Sequence, residues 1–473
     1  MANISSLLEK DNNHKHILTI AGQVGKDLNM ETYVVGGFVR DALLDIKNSD
    51  IDIMVEGDAI KFAESFSKKI GGGSVVEFEK FGTALVPYNG MEIEIASARE
   101  EIYSKESRKP EISFTTVNAD MSRRDFTINA IAASIMPDNF GDLHDPFEGI
   151  KDLHRGLIIT PTDPDKTFDD DPLRMLRAIR FASQLEFDIA PNILDSISRI
   201  KERIEIVSGE RVTEEIIKLL KTSKPSKGFY LLKETGMLGL ILPEFDIMSG
   251  VETIGGMGHK DVFIHTLQVI DNASELSNKM EIRFAALVHD IAKPQTKKFY
   301  QGKGWTYHGH EILGMKIMKK LAKRMKISNE LREYLMKMIK LHLRPIALAK
   351  EGVTDKAIRR LIVEAGDDID DLMILCRADI TTKNPKKVKK YLKNFDRVEE
   401  LVSNVQLRDE LRSFQSPVRG EEIMKTLKLK PGREIGKIKS AIEEAILDGE
   451  IENNHESAFD YMMKNNEKIL NGN

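Results

Sequence analysis

The first 160 residues and the remainder of the chain carry different hydrophobic rhythms. In NSDIDIMVEG (48 to 57), Ile51, Ile53 and Val55 alternate with Asp50, Asp52 and Met54, and this period of two predicts a short strand with one apolar face. VEFEKFGTALVPY and MEIEIASAR also read as strands, and YVVGG reads as a strand ending in a turn. From about residue 165 the rhythm changes. PLRMLRAIRFASQL and RVTEEIIKLLKT repeat their apolar positions every three to four residues, the period of a helix with one buried face. The pattern predicts an α/β head followed by an all-α body. Turn-rich stretches at 249 to 260 and 413 to 422 mark expected boundaries, and no internal repeat or low-complexity segment interrupts them.

Composition narrows the picture. A chain of 473 residues suggests about three domains, and 41% hydrophobic with 31% charged residues is enough for real cores under a solvated surface. The net charge of −5 does not announce a nucleic-acid partner, so any such site must be a local patch. The lone cysteine, Cys376, excludes a disulfide framework within the chain and fits a reducing compartment. The first twenty residues lack the basic-then-apolar order of a signal peptide, and no apolar run approaches the ~20 residues that span a bilayer. The expectation is a soluble cytoplasmic protein without a membrane partner.

Strands are depleted in Asp, and Asp50 and Asp52 side by side on one strand face repel each other. An exposed edge strand carrying deterrent charge is one explanation. The neighbourhood favours another. YVVGGFVRDALL (33 to 44) predicts a buried strand, a Gly36-Gly37 turn and a helix, so that backbone N–H groups face a phosphate and Arg40 reaches it. Two carboxylates bridged to phosphate oxygens are a usual way to hold Mg²⁺. Two such ions activate an attacking hydroxyl and stabilise a pyrophosphate leaving group. Glu94 is the expected third carboxylate, favoured by the Arg99 that follows it, with Glu92 as the fallback.

Five motifs follow in order: GGFVRD, DID, RRDFTINA (123 to 130), DPFEGIKDL (145 to 153) and DDPLRMLRAIRF (170 to 181). Together they resemble the class II tRNA nucleotidyltransferase and bacterial poly(A) polymerase family of the polymerase β superfamily, over at least residues 30 to 225. The resemblance implies addition of C, C and A to a tRNA 3′ end from CTP and ATP, with Asp50 and Asp52 as catalytic metal ligands. It also implies that Arg123, Arg124 and Asp125 line the nucleotide's sugar and phosphates and that Asn129 supports that loop. A structural ion pair is the plain alternative for Arg124 and Asp125.

In DDPLRMLRAIRF the spacing puts Asp171 and Arg174 on one helix face. An arginine that donates and an aspartate that accepts match cytosine and adenine, each with a ring-nitrogen acceptor and an exocyclic amino donor. Uracil and guanine present a ring N–H where the arginine would donate. A surface salt bridge is the bland alternative. The family usually has Glu where Asp170 stands, a departure that keeps charge and shortens reach. Arg177 and Arg180 extend the stripe toward triphosphate or RNA, and Arg211 in SGERVTEEIIKLL (208 to 220) is expected to brace the reader.

Six of the eleven histidines fall between 259 and 342. His265, His289 with Asp290, and Asp379 resemble the pattern of HD-domain phosphohydrolases; His310 and His342 match less closely, and His308 reads as a neighbour. Helical His and Asp converging in this way suit one or two divalent or transition metals, and the resemblance implies 2′,3′-cyclic phosphates, 2′-phosphates or cyclic nucleotides as substrates. A core that only hydrogen-bonds itself is the alternative. Lys386 to Lys393 is a basic run that reads as a solvated helix face or a phosphate contact; Lys430-Pro431-Gly432-Arg433 precedes a helix, and the resemblance implies a tail that grips an RNA phosphate there, with an ordinary helical hairpin as the alternative.

The expected architecture is therefore α+β. A polymerase-β-like head with a small mixed sheet (1–160) precedes an elongated helical neck with the base reader (161–250), an HD domain (251–385) and a helical tail (386–473). The expected function is Mg²⁺-dependent CCA addition. The alternatives are a poly(A) polymerase, an enzyme adding only CC or only A, and a phosphohydrolase whose head merely binds RNA.

Overall fold

A computed structural model describes residues 3–48, 50–104, 107–254, 257–348, 355–402 and 416–471, with side chains left out at 100–114, 257, 355 and 471. The chain forms two compact units, Met1–Asp246 and Ile247–Asn473.

The first unit is built on a mixed sheet of β1 (Thr32–Val35), β2 (Asp52–Val55), β3 (Val76–Phe78), β4 (Thr83–Tyr88), β5 (Met91–Ser97), β8 (Ala132–Ser134) and β9 (Leu143–His144) in the order β3-β4-β5-β2-β1-β8-β9. A separate hairpin joins β6 (Arg99–Ser104) to β7 (Ser107–Phe114). One sheet face is apolar: Ala84, Val86, Ile93, Ile95, Ile53 and Val55 are buried, with α1 (Asn12–Leu28) and α3 (Ala59–Ile70) forming the neighbouring helical layer. The other face carries Asp52, Glu94, Ala96 and Thr83 and lines a cavity. Because side chains alternate along a strand, one register fixes which residues reach chemistry and which reach the core.

The predicted strand VEFEKFGTALVPY is two strands. A 3₁₀ turn at Glu79–Phe81 ends on Gly82 at φ +58°, a backbone conformation that glycine adopts without steric cost, and the chain reverses there. The strand expected around Asp50 starts at Asp52, and Asp50 stands just before it.

After the sheet come α4 (Pro164–Asp170), α5 (Leu173–Gln184) and α6 (Gly209–Leu220). The apolar stripe of α5, including Met175, Leu176, Ile179 and Ala182, is buried among these helices. The second unit contains α7 (Val262–Leu276), α8 (Met280–Val288), α9 (His310–Arg324), α10 (Asn329–Leu341), α11 (Ile369–Ala378) and α12 (Pro385–Val402). Between α8 and α9 the short hairpin Lys298–Tyr300/Gly304–Thr306 departs from the expected all-α body. Its Gly302 and Gly304 supply the positive φ of the reversal. A satellite core of Val418, Ile423, Ile438, Ile442 and Met462 closes the C-terminal helices. The basic run Lys386–Lys393 lies on α12, and Arg433 begins the helix Arg433–Leu447. The boundary expected at 413–422 lies partly outside the described residues, as does that at 249–260. Among the described residues no helix is long and apolar enough to cross a membrane.

Candidate active site

The cavity in the first unit has a volume of ≈ 1810 Å³. Small-ligand sites usually measure about 300–1,000 Å³, so this one has room for a nucleotide and more. Asp50, Asp52 and Glu94 all line it. β2 runs parallel to β5 with Asp52 directly opposite Glu94, which selects Glu94 over Glu92 as the third carboxylate of this face; Glu92 pairs with Pro87 and is outside the cavity lining. Burial, the Glu94 carboxylate and Asp50 push Asp52 up to about 6 against the pull of Arg124. A carboxylate set left short of positive charge, open to a cavity, is a donor set that suits a hard divalent cation.

Next to the carboxylates, β1 runs into Gly36 (φ +66°) and the helix α2 (Gly37–Leu43). A Cβ on Gly36 would lie 2.8 Å from the end of the flexible Arg124 side chain, so the requirement for glycine comes from the positive φ rather than from space. One expectation is corrected here: the Gly36 amide donates to Ile131 O at 3.1 Å, and only the amides from Gly37 onward can face a ligand. Arg40 also differs from the expected free phosphate hook. It is buried, donates to Asp41 Oδ1 (2.8 Å) and Asn129 Oδ1 (2.7 Å), and lies over the Phe181 ring at 5.1 Å.

These contacts begin a chain of polar groups. Asn129 donates to Asp125 Oδ1 (3.0 Å), and Arg177 grips Asp125 Oδ2 through Nε (2.7 Å) and Nη2 (2.6 Å). Burial would raise the Asp125 carboxyl, but Arg177 and Asn129 outweigh it and hold it below its ordinary value. Arg180 pairs with buried Glu215 (2.6 Å) and with Gln184 (2.6 Å) and stacks 3.9 Å from Phe181. Arg177 and Arg180, expected to hold triphosphate or RNA, are thus engaged with protein groups at the junction of sheet and helices. Arg123 and Arg124 converge on Asp120, which is fully buried; Arg124 Nε lies 3.1 Å from its Oδ2, and Arg123 bonds its Oδ1. Burial raises Asp120, and the two guanidiniums more than reverse it.

Asp171 and Arg174 share the cavity but not a helix face. α5 starts at Leu173, so Asp171 precedes it, accepts the Leu173 amide (3.2 Å) and pairs with Arg211 (3.0 Å). Pro172 causes the offset, since the residue before a proline is driven out of the helical region; Asp171 is extended at φ −138°. Arg174 donates instead to Arg123 O (2.7 Å) and Thr167 O (3.4 Å). No ion pair joins the two side chains among the described residues; the salt bridge that Asp171 makes is with Arg211. Asp170 ends α4 on the cavity wall. Asp120, Glu215 and Phe181 escaped the sequence reading. Asp120 had a usable signal, three and four residues before an Arg pair; Glu215 and Phe181 take their roles only from tertiary contacts.

The second unit gathers His265, His289, Asp290, His310, His342 and Asp379 from five helices or helix ends. They form two groups of possible ligands, His265/His289/Asp379 and Asp290/His310/His342, with the donor atoms of each within 4.8 Å of one another. The Nδ1 atoms of His289, His310 and His342 each lie 2.8 Å from a backbone carbonyl three residues earlier. Nδ1–H donation turns each Nε2 lone pair inward. His310 and His342 then face each other at 3.2 Å, while His289 Nε2 and both Asp290 oxygens are buried without a well-formed hydrogen bond. Burial and neighbouring His289 hold His342 down to about 4, hence neutral. Inward lone pairs beside buried carboxylates fit bound cations. Lys293 pairs with Asp290, and His308 is exposed and outside the cluster.

The chain matches the poly A polymerase head domain over residues 32–159, the probable RNA and SrmB-binding site of polymerase A over 186–248, and the HD domain over 262–384. It is similar to the multifunctional CCA protein of Nitrosospira multiformis, 32% identical over 343 residues, 68% of this chain and 77% of that protein. It is also similar to the A-adding tRNA nucleotidyltransferase of Geobacter sulfurreducens, 35% identical over 226 residues, 47% of this chain and 25% of that protein. Among solved structures, an apo CCA-adding enzyme superposes with a TM-score of 0.64 at 26% identity, covering 98% of this chain and 97% of that one.

Proposed function

We propose, because this chain belongs to the CCA-adding tRNA nucleotidyltransferase family, that it adds C, C and A to the 3′ end of tRNA from CTP and ATP. The observation that carries this reading is the convergence, in one cavity, of Asp52 and Glu94 on one sheet face, Asp50 just before that face, and Asp171 and Arg174 at the start of a helix. In this reading Asp50, Asp52 and Glu94 hold Mg²⁺, which when bound supplies charge stabilisation to the attacking and leaving oxygens of phosphoryl transfer. Amides from Gly37 onward, with Arg123 and Arg124, orient the triphosphate. Asp125, Asn129 and Arg40 keep that loop in register with α5, and Arg177 and Arg180 brace the same junction.

Arg174 donates to the ring acceptor of cytosine or adenine, and Asp171, steadied by Arg211, accepts from the amino group. Arg174 is already tethered to two backbone carbonyls, so little ordering is left to do when the base arrives. Asp170 flanks the reader. Selection of C and A over U and G then rests on hydrogen-bond polarity rather than on size.

The second unit reads as a metal-dependent phosphohydrolase of the HD type. His265, His289, Asp290, His310, His342 and Asp379 would hold one or two divalent transition metals that polarise a phosphoester. The buried single cysteine accords with a place in the cytoplasm.

Sequencing the products formed on a tRNA lacking CCA, with CTP and ATP supplied singly and together, tests the reading. CC from CTP alone, and CCA from both, is the expected result. Addition of A only, as the name of the Geobacter relative describes, or a run of A on unrelated RNA, would replace it with a narrower or broader transferase.

A further inference from the structure

We infer that the open edge of the sheet is a stacking ramp for the single-stranded 3′ end of the RNA primer. This rests on the assignment of Asp52 and Glu94 to catalysis. The register aligns two rows across the sheet. Asp52 opposes Glu94, Glu94 opposes Leu85, and Leu85 opposes Val76; beside them Met54, Ala96, Thr83 and Phe78 follow in the same way. Residues directly opposite one another share a face. The face that bears the carboxylates therefore continues, strand by strand, into Leu85, Val76 and Phe78.

That continuation is apolar and open. Val76, Phe78 and Phe81 are 48%, 43% and 57% exposed. Single exposed apolar residues need no explanation, and an edge strand is normally blunted with charge. Here Val76 and Phe78 share the carboxylate-bearing face of the edge strand, and Phe81, on the turn that follows, lines the cavity. Lys80 and Phe81 line the cavity itself, and Arg99 Nη1 fixes the turn by donating to the Phe81 carbonyl at 2.6 Å. Aromatic faces with adjacent cations are the chemistry that holds unpaired bases and their phosphates.

Direction settles the occupant. The triphosphate-facing amides follow β1, and the sheet order places β1 on one side of the carboxylates with β4 and β3 on the other. In-line displacement puts the attacking hydroxyl opposite the leaving pyrophosphate. The primer terminus must then come from the β4–β3 side. From Asp52 to Val76 is three strand spacings, roughly 14 Å, the rise of about four stacked nucleotides. The ramp thus accommodates a short unpaired tail.

The test uses the full chain and a tRNA primer whose terminal base is 2-aminopurine, in the absence of nucleotide. Binding to the wild type should quench the probe by stacking. Phe78→Ala with Phe81→Ala should abolish the quenching and raise KM for primer about ten-fold, while KM for CTP stays within two-fold. Phe81→Trp should keep both the quenching and the primer KM. Asp52→Ala should quench like the wild type while incorporating nothing. Unchanged quenching and primer KM in the double variant would overturn the ramp, as would an equal rise in KM for primer and CTP. Sustained incorporation by Asp52→Ala would instead overturn the catalytic assignment beneath it.

Discussion

The carboxylate cavity of the first unit and the imidazole cluster of the second are both built to gather charge, in opposite manners. In the cluster, four histidines and two aspartates are mutually oriented before anything binds, with three Nδ1 atoms locked by their own helix ends. In the cavity, the guanidiniums of Arg40, Arg123, Arg177 and Arg180 are each engaged with protein partners, while among the described residues no ion pair reaches Asp50, Asp52 or Glu94, and Arg124 only partly offsets the burial of Asp52. Under the function proposed above, the preassembled cluster would hold a resident metal, and the open carboxylate set would take its positive charge from an incoming metal–nucleotide complex.

The largest effect expected from this contrast is on the cluster. His289→Ala with Asp290→Ala should remove the bound transition metal and all phosphoester cleavage, measured by metal analysis and a phosphodiester assay, while CCA addition stays within about two-fold. If the wild type carries no metal beyond Mg²⁺ and cleaves no phosphoester, the cluster is a hydrogen-bonded core and the contrast fails.

A smaller effect is expected where the cavity's own cations are anchored. Asp120→Asn leaves Arg123 and Arg124 without their shared carboxylate. The guanidiniums are 23% and 22% exposed, so solvent recovers part of the loss, and the cost should be about 2 to 3 kcal/mol in a denaturant titration. KM for nucleotide should rise more than KM for primer. A fall in stability with both KM values unchanged would make Asp120 a purely structural anchor.

The smallest effect concerns the base reader. Asp171→Ala removes the acceptor for the amino group, and a hydrogen bond to a charged group is worth about 1.5 to 3 kcal/mol. Discrimination against UTP and GTP, taken as ratios of kcat/KM, should drop about ten-fold or more. Arg174→Ala should weaken CTP and ATP use in parallel. Loss of only one of the two correct nucleotides would place base selection elsewhere.

Much of this was legible in the sequence, for identifiable reasons. The alternation in MEIEIAS puts Glu92 and Glu94 on one face, and the Arg99 that follows favoured Glu94; the register opposite Asp52, with Glu94 and not Glu92 lining the cavity, is visible only in the fold. The ordered motifs pointed to one family because each has a local backbone signature. What stayed hidden depends on distance in the fold. Nothing in LRAIRF indicates that Phe181 sits against three guanidiniums, two of them from its own helix and one from α2. Helical spacing suggested an Asp171–Arg174 pair because it takes no account of Pro172, which places Asp171 outside the helix and beside Arg211. The hairpin at Lys298–Thr306 escaped because KKFYQGKGWTY is too short for a period to register.

The most direct measurement is a crossed assay on Asp50→Ala and Asp52→Ala. One arm follows Mg²⁺-dependent incorporation of CTP and ATP into tRNA lacking CCA; the other follows phosphoester hydrolysis by the same preparations. Incorporation should fall by about a thousand-fold or more, tRNA binding should stay within a few-fold because distributed Lys and Arg hold the backbone, and hydrolysis should be unchanged. Incorporation close to wild type in both variants would contradict the catalytic assignment.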